Sequence, residues 1–289
     1  MVKRRRWKSK LQVRGVIMKK VVKFGGSSLA NAEQFQKVGD IIRSDESRRY
    51  VVPSAPGKRF DEDIKVTDML YGCYDAASKG EDITEKINAI KARYYEIIKG
   101  LGLSLSLEEE FKKIDEDFRA QAGIQYAASR GEFLNGKIMA AYLGYDFVDA
   151  ASVIRFDKAG NLEAEETNKL LSKKLSKSQH AVIPGFYGAC ADGTVKTFSR
   201  GGSDVTGSLV AKAIHADIYE NWTDVSGFLV TDPRIVHNPE PIEAITYREL
   251  RELPTWELLF FMRMPFSRFV KREFRSISVT QTARRIKVL

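Results

Sequence analysis

An α/β domain, with a mainly parallel sheet covered by helices, is the fold class this sequence predicts, and three observations predict it. Short β-branched runs (VVKF at 21–24, RRYVVP at 48–53, HAVIPGF at 180–186, ADIYENWTD at 216–224) alternate with stretches whose apolar residues recur every three or four positions. Two strand-like runs lead into glycines and then a helix start, at Lys23-Phe24-Gly25-Gly26-Ser27-Ser28 and at Ser199-Arg200-Gly201-Gly202-Ser203-Asp204. Between HAVIPGF and ADIYENWTD, a strand, a glycine loop, a helix and a strand make a βαβ unit, which favours parallel pairing.

In chain order, VVKF is the first strand, Gly25–Gly26 its turn, and Phe35, Val38, Ile41 and Ile42 the apolar stripe of a first helix. RRYVVPSAPG reads as a short buried strand that ends in a Pro/Gly loop. A helical region follows, with one stripe at Ile83, Ile87, Ile90, Tyr94 and Ile97, a break at GLGL, and a second stripe at Phe111, Ile114 and Phe118. Both stripes are core rather than ligand contacts. YDFVDA, HAVIPGF and ADIYENWTD are strands. SDVTGSLVAKAIHA is a helix with Ser203 as its N-cap and Val205, Leu209 and Ile214 on one face. No internal repeat or low-complexity linker divides the chain, so a single domain is expected over 18–253.

With 289 residues, 43% of them hydrophobic and 29% charged, the chain can bury a full core and is not disordered by composition. Cys73 and Cys190 show no CxxC spacing, which excludes a disulfide scaffold and fits a reducing cytosol. His180, His215 and His237 lack metal-ligand spacing, and no residue is assigned to a metal. No apolar run reaches the length of a membrane span, so a cytoplasmic protein is expected. The net charge of +9 suggests a nucleic-acid binder until it is mapped. Residues 1–20 carry nine Lys/Arg and no acid, and residues 254–289 carry eight Lys/Arg and two Glu. That leaves 30 basic and 36 acidic residues in 21–253, a net of −6. The mildly acidic middle argues against a nucleic-acid partner. Residues 1–17 read as an extension upstream of Met18, which opens the first strand.

Three stretches carry chemistry. In KFGGSS, glycines let the backbone approach a ligand, helix-start amides favour an anion, and Lys23 adds the point charge that a phosphoryl transfer needs. The stretch is neither a Walker A loop nor GxGxxG, and alone it is equally an ordinary βα turn. In SRGGSD, Arg200 can clamp a carboxylate and Asp204 can orient a lysine or hold a metal. Thr223-Asp224-Val225-Ser226-Gly227 and Thr231-Asp232-Pro233-Arg234 put polar groups at a strand end, where parallel sheets hold nucleotides.

Taken together and in order, KFGGSS, VVPSAPG, RGGSD and TDVSGFLVTDPR resemble the motifs of the aspartate kinases, of the amino-acid kinase fold, over 18–253. The resemblance implies a three-layer αβα sandwich like that of carbamate kinase. It also implies ATP-dependent phosphorylation of the side-chain carboxylate of L-aspartate, the first step toward lysine, threonine and methionine. It makes Lys23 and Asp204 the catalytic pair, with Asp204 positioning Lys23. Thr67 in KVTD, Glu132 in SRGE, Ser54 and Arg200 would contact substrate, Arg200 at a carboxylate and Glu132 at the amino group. Without the resemblance, Glu132 is an exposed helix residue and Thr67 an N-cap. Lys23, Gly25, Gly26, Ser27, Thr223, Asp224 and Arg234 would bind ATP, with Mg²⁺ across the phosphates. Leu229 stands where the family often places an aromatic, which weakens base or ribose packing there. The intact family enzyme is a homodimer. A carboxylate is already a nucleophile at pH 7, so catalysis would rest on positioning and charge neutralisation rather than on a base. A glutamate 5-kinase-like enzyme or an inactive fragment are the alternatives.

After Leu253 the family pattern stops. PTWELLFFMRMPFSRFVKREFRSISVTQTARRIKVL lacks a clean helix or strand period. Plausible codons for Thr255–Pro265, regrouped by one base, read YMGASVLHEDA, a segment the family carries at this place. A single-base frameshift near Leu253–Pro254 is therefore expected, which makes 254–289 an aberrant basic tail in place of the closing kinase segment. The frameshift would also leave the chain without the family's two regulatory ACT domains, so an impaired enzyme is expected.

Overall fold

The computed structural model describes residues 18–199, 201–223 and 275–280, the last six and Thr223 as backbone alone. β1 (Lys20–Phe24) runs into a 3-10 turn (Ser27–Leu29) and α1 (Ala32–Arg43). The Asn31 side chain opens α1 by accepting from the Gln34 amide, as an N-cap does. β2 (Arg48–Pro53) precedes four helices, α2 (Val66–Ser78), α3 (Thr84–Gly100), α4 (Glu108–Arg119) and α5 (Ile124–Leu143). Then come β3 (Asp146–Phe147), α6 (Ala150–Val153), α7 (Ala164–Leu175) and β4 (Ala181–Val182). A hairpin of β5 (Tyr187–Ala189) and β6 (Val195–Thr197) leads to α8 (Gly202–Ala213), β7 (Ile218–Thr223) and β8 (Arg275–Thr280).

Six strands form one sheet in the order β3-β4-β2-β1-β7-β8, and every pairing in it is parallel. Because strand side chains alternate between faces, neighbouring residues enter different cores. Val22, Phe24, Val51, Val182 and Trp222 pack with α1–α5, whereas Val21, Tyr50, Val52, Ala181, Ile183 and Tyr219 pack with α6–α8. This is the expected three-layer sandwich. The stripes of α3 and α4 are core, as their spacing demands: Ile90, Tyr94, Phe111 and Phe118 are buried. Parallel strands share one carboxyl-terminal edge, so the loops after β1, β2 and β4 and the end of β7 gather there.

Three expectations change. Ser203 is not the N-cap of α8. That place belongs to Gly201, whose left-handed φ of 55° suits a residue without a Cβ, and Ser203 lies inside the first turn. Likewise Lys65, not Thr67, caps α2. The tail without a visible strand period nevertheless contributes β8, paired with β7 from Ile218↔Arg275 to Thr223↔Thr280. Ile277 and Val279 alternate with Ser276 and Ser278, a pattern too short to stand out among arginines. Residues 1–17 and 254–274, on which the expected extension and most of the shifted frame fall, lie outside the described residues. No helix among the described residues is long and apolar enough to cross a membrane.

Candidate active site

Lys23 is the penultimate residue of β1, and its parity turns it toward α8. Its Nζ lies 3.0 Å from Asp204 Oδ1, with both side chains mostly buried. The carboxylate oxygen is off hydrogen-bond alignment and has no other partner among the described residues, so the contact is Coulombic. Asp204 occupies the first turn of α8, where the helix dipole also favours a negative charge.

The two glycine-bearing loops interlock. A Cβ on Gly26 would lie 2.8 Å from Ala55 O, and one on Gly57 would lie 2.7 Å from Gly26 C. The Gly57 amide donates to Gly26 O at 2.8 Å. Gly26 is therefore required by loop packing. Gly25 differs, because a Cβ there would meet no atom of the described residues within 4 Å, and its open side is where a ligand can approach. Ser27 is exposed at the same lip, whereas Ser28 is buried with its Oγ unpaired among the described residues.

Ser54, just past β2, is held from both helical layers. Asn135 Nδ2 of α5 donates to Ser54 O at 2.6 Å, and Ser54 Oγ donates to Ser203 Oγ of α8 at 2.9 Å. Gly26, Ser27, Ser54, Gly57, Thr67 and Glu132 line one open cleft of about 590 Å³. The structure thus brings Thr67 and Glu132 beside the glycine loop. Glu132 is only 6% exposed, so it is not an ordinary surface helix residue. Burial pushes its carboxyl up to about 8, against the pull of the Ala55 amide, its own amide and the Arg130 charge. Oε2 has no partner among the described residues.

Arg200, Asp224, Leu229 and Arg234 lie outside the described residues, and Thr223 is placed only as the end of β7. Two residues escaped the sequence reading. Asn135 gives no signal within a helix, yet it is fully buried at the site. Asn221 faces Lys23 in the β1–β7 register, and its buried Oδ1 is unpaired among the described residues.

No three His, Cys, Asp or Glu side chains converge as a metal cage among the described residues. The donor set fits a Mg²⁺ that enters with a nucleotide and is held chiefly by phosphates and water, with Asp204 as the protein carboxylate at hand. Glycine-loop amides and a buried carboxyl at one cleft, with Lys23 on the strand that leads into that loop, suit transfer of a phosphoryl group between anions.

The chain belongs to the amino acid kinase family, whose model matches residues 18–264 and so reaches past Leu253. It is 39% identical over 250 residues to aspartokinase 3 of Bacillus subtilis, a match covering 81% of this chain and 55% of that protein. Its fold matches the crystal structure of Clostridium acetobutylicum aspartate kinase with a TM-score of 0.82 at 45% identity, over 91% of this chain and 60% of that one. It also matches Escherichia coli aspartokinase III in complex with aspartate and ADP, with a TM-score of 0.77 at 25% identity, over 93% of this chain and 63% of that one. The chain thus spans little more than half the length of these relatives.

Proposed function

We propose that this chain is the catalytic portion of an aspartate kinase, transferring the γ-phosphoryl group of ATP to the side-chain carboxylate of L-aspartate. The observation that carries the reading is the Lys23–Asp204 pair at the head of interlocked glycine loops, beside a cleft that holds Thr67 and Glu132. Likeness to aspartokinases, one of them complexed with aspartate and ADP, supports the choice of substrates.

In this reading a carboxylate oxygen of aspartate attacks the γ-phosphorus, the bond to the β,γ-bridging oxygen breaks, and ADP leaves with that electron pair. No proton need be removed from the nucleophile. Lys23, held by Asp204, offsets charge on the transferring group, and the open side of Gly25 admits the phosphates. Mg²⁺, bound with the nucleotide, supplies further charge neutralisation. Thr67 and Ser54 orient the acceptor. Glu132, largely protonated at neutral pH, releases its proton to solvent as the substrate ammonium settles against it, leaving a carboxylate paired with that cation. Arg200 would grip a substrate carboxylate, and Thr223, Asp224, Leu229 and Arg234 would complete the nucleotide side. A cytoplasmic location and, for a full-length form, a homodimer accompany the proposal.

Trapping the acyl phosphate with hydroxylamine, in the presence of Mg-ATP and aspartate or glutamate, tests it. Aspartyl hydroxamate from this chain supports the reading. Activity only with glutamate, or none even after the 254–289 frame is restored, overturns it.

A further inference from the structure

The glycine loop is not fixed by its own turn alone. Asp63 Oδ2 accepts from the Arg59 amide at 2.9 Å, from Arg59 Nε at 2.9 Å and from Arg93 Nη1 at 2.6 Å. Arg93, on α3, turns its other arm to donate to Gly57 O at 3.1 Å. Gly57 in turn donates its amide to Gly26 O, in the close packing that excludes a Cβ on either residue. A continuous path therefore runs from a helix outside the cleft, through one guanidinium, to the backbone that faces the ligand. Arg93 is only 4% exposed and Asp63 is 9% exposed, and the arginines hold the Asp63 carboxyl well below the usual range. Burying a charged pair is expensive, and a hydrophobic pair would often serve stability equally well. What a hydrophobic pair could not do is hold the Gly57 carbonyl, which Arg93 reaches with one nitrogen of its guanidinium while the other stays on the carboxylate.

We propose that Arg93 is a positioning residue: by holding the Gly57 carbonyl against α3, it sets the Gly26–Gly57 contact and so the glycine loop that receives the nucleotide phosphates. The inference rests on the nucleotide reading of that loop given above.

The test is Arg93→Lys in the full chain, which keeps a cation for Asp63 but replaces two separate donor nitrogens with one on a shorter reach. Calorimetric titration with Mg-ADP, which needs no acceptor, should show affinity weakened by about 10-fold, since small misplacements cost one to two orders of magnitude. Where the parent chain turns over aspartate, kcat should fall similarly, with the KM for aspartate changed less than the Mg-ADP affinity, because Thr67 and Glu132 are carried by α2 and α5, and Glu132 meets this loop at the Ala55 amide. Combining Arg93→Lys with Gly57→Ala should give less than the product of the single effects, the mark of action through a shared contact. Unchanged Mg-ADP affinity in a variant that melts like the parent overturns the proposal, as do multiplicative effects in the double variant. If Arg93→Lys fails to fold, Arg93→Gln, which lacks the second donor nitrogen and so cannot hold Asp63 and Gly57 together, is held to the same readouts. Failure of the parent chain to bind Mg-ADP sinks the loop reading and this inference together. Binding without aspartate turnover sinks only the acceptor assignment.

Discussion

Lys23 on β1 and Asp204 on α8, 181 positions apart in the chain, meet at 3.0 Å across the carboxyl-terminal edge of the sheet. Sequence order keeps them in separate motifs, and the parallel βαβ crossover brings them together. Replacing Lys23 with Met should lower kcat by about 10²–10³-fold, the usual cost of losing one charge-stabilising donor. The fold should survive at reduced stability, because Asp204 loses its partner but keeps about a quarter of its side chain in solvent. A coupled ADP-release assay beside a thermal melt checks both halves.

Glu132 predicts a pH dependence with a definite sign. With its pKa raised to about 8, the carboxyl is mostly protonated at pH 6–7, and its anion grows as pH rises. A substrate ammonium prefers the anion, so the KM for aspartate should fall between pH 6 and 8 and then level off, while Glu132→Gln should flatten the profile. The same shift bears on stability. The unfolded chain loses this proton near 4.5 and the folded one near 8, so the stability it confers is full below 4.5 and lost as pH approaches 8. Chemical denaturation of both proteins across that range measures it.

The two glycines of the loop should respond differently. Gly26→Ala drives a Cβ into Ala55 O at 2.8 Å and should cost about 1–3 kcal/mol of stability. Gly25→Ala meets no atom of the described residues, so its melting temperature should stay near that of the parent while the KM for ATP rises. A Gly25→Ala protein with unaltered ATP kinetics would remove the phosphates from that side of the loop.

Glu220 is a structural prediction. Only 3% exposed, it accepts from Lys20 Nζ, Arg48 Nε and Trp222 Nε1, joining β1, β2 and β7 beneath the Phe24–Trp222 stack. Glu220→Leu leaves Arg48 without its carboxylate and should destabilise by about 3–5 kcal/mol, read as a lowered denaturation midpoint.

Most of the architecture was legible because it rests on periodicity. The Ile83–Ile97 and Phe111–Phe118 stripes, the strands at 21–24 and 218–223, and the face of Val205 and Leu209 all follow from alternation or helical spacing. The hairpin of β5 and β6 was missed because its strands are three residues long and mix glycine with lysine. Among site residues, Lys23 and Asp204 were legible as chemistry beside glycines. Glu132 was legible only through the family resemblance, since nothing local tells that its helix face is buried against the loop after β2. Asn135, Asn221 and Arg93 carried no signal, because each acts through a partner that only the tertiary fold supplies.

The Asn135–Ser54–Ser203 chain described at the site has a mechanical consequence. α5 and α8 belong to opposite outer layers, and at this end of the sheet Ser54 ties them to each other through its carbonyl and its hydroxyl. Whatever displaces one layer here is handed to the other through a single residue. Breaking either hydrogen bond would leave this stretch of the cleft wall referenced to one layer alone, as a shelf that has lost one of its two brackets.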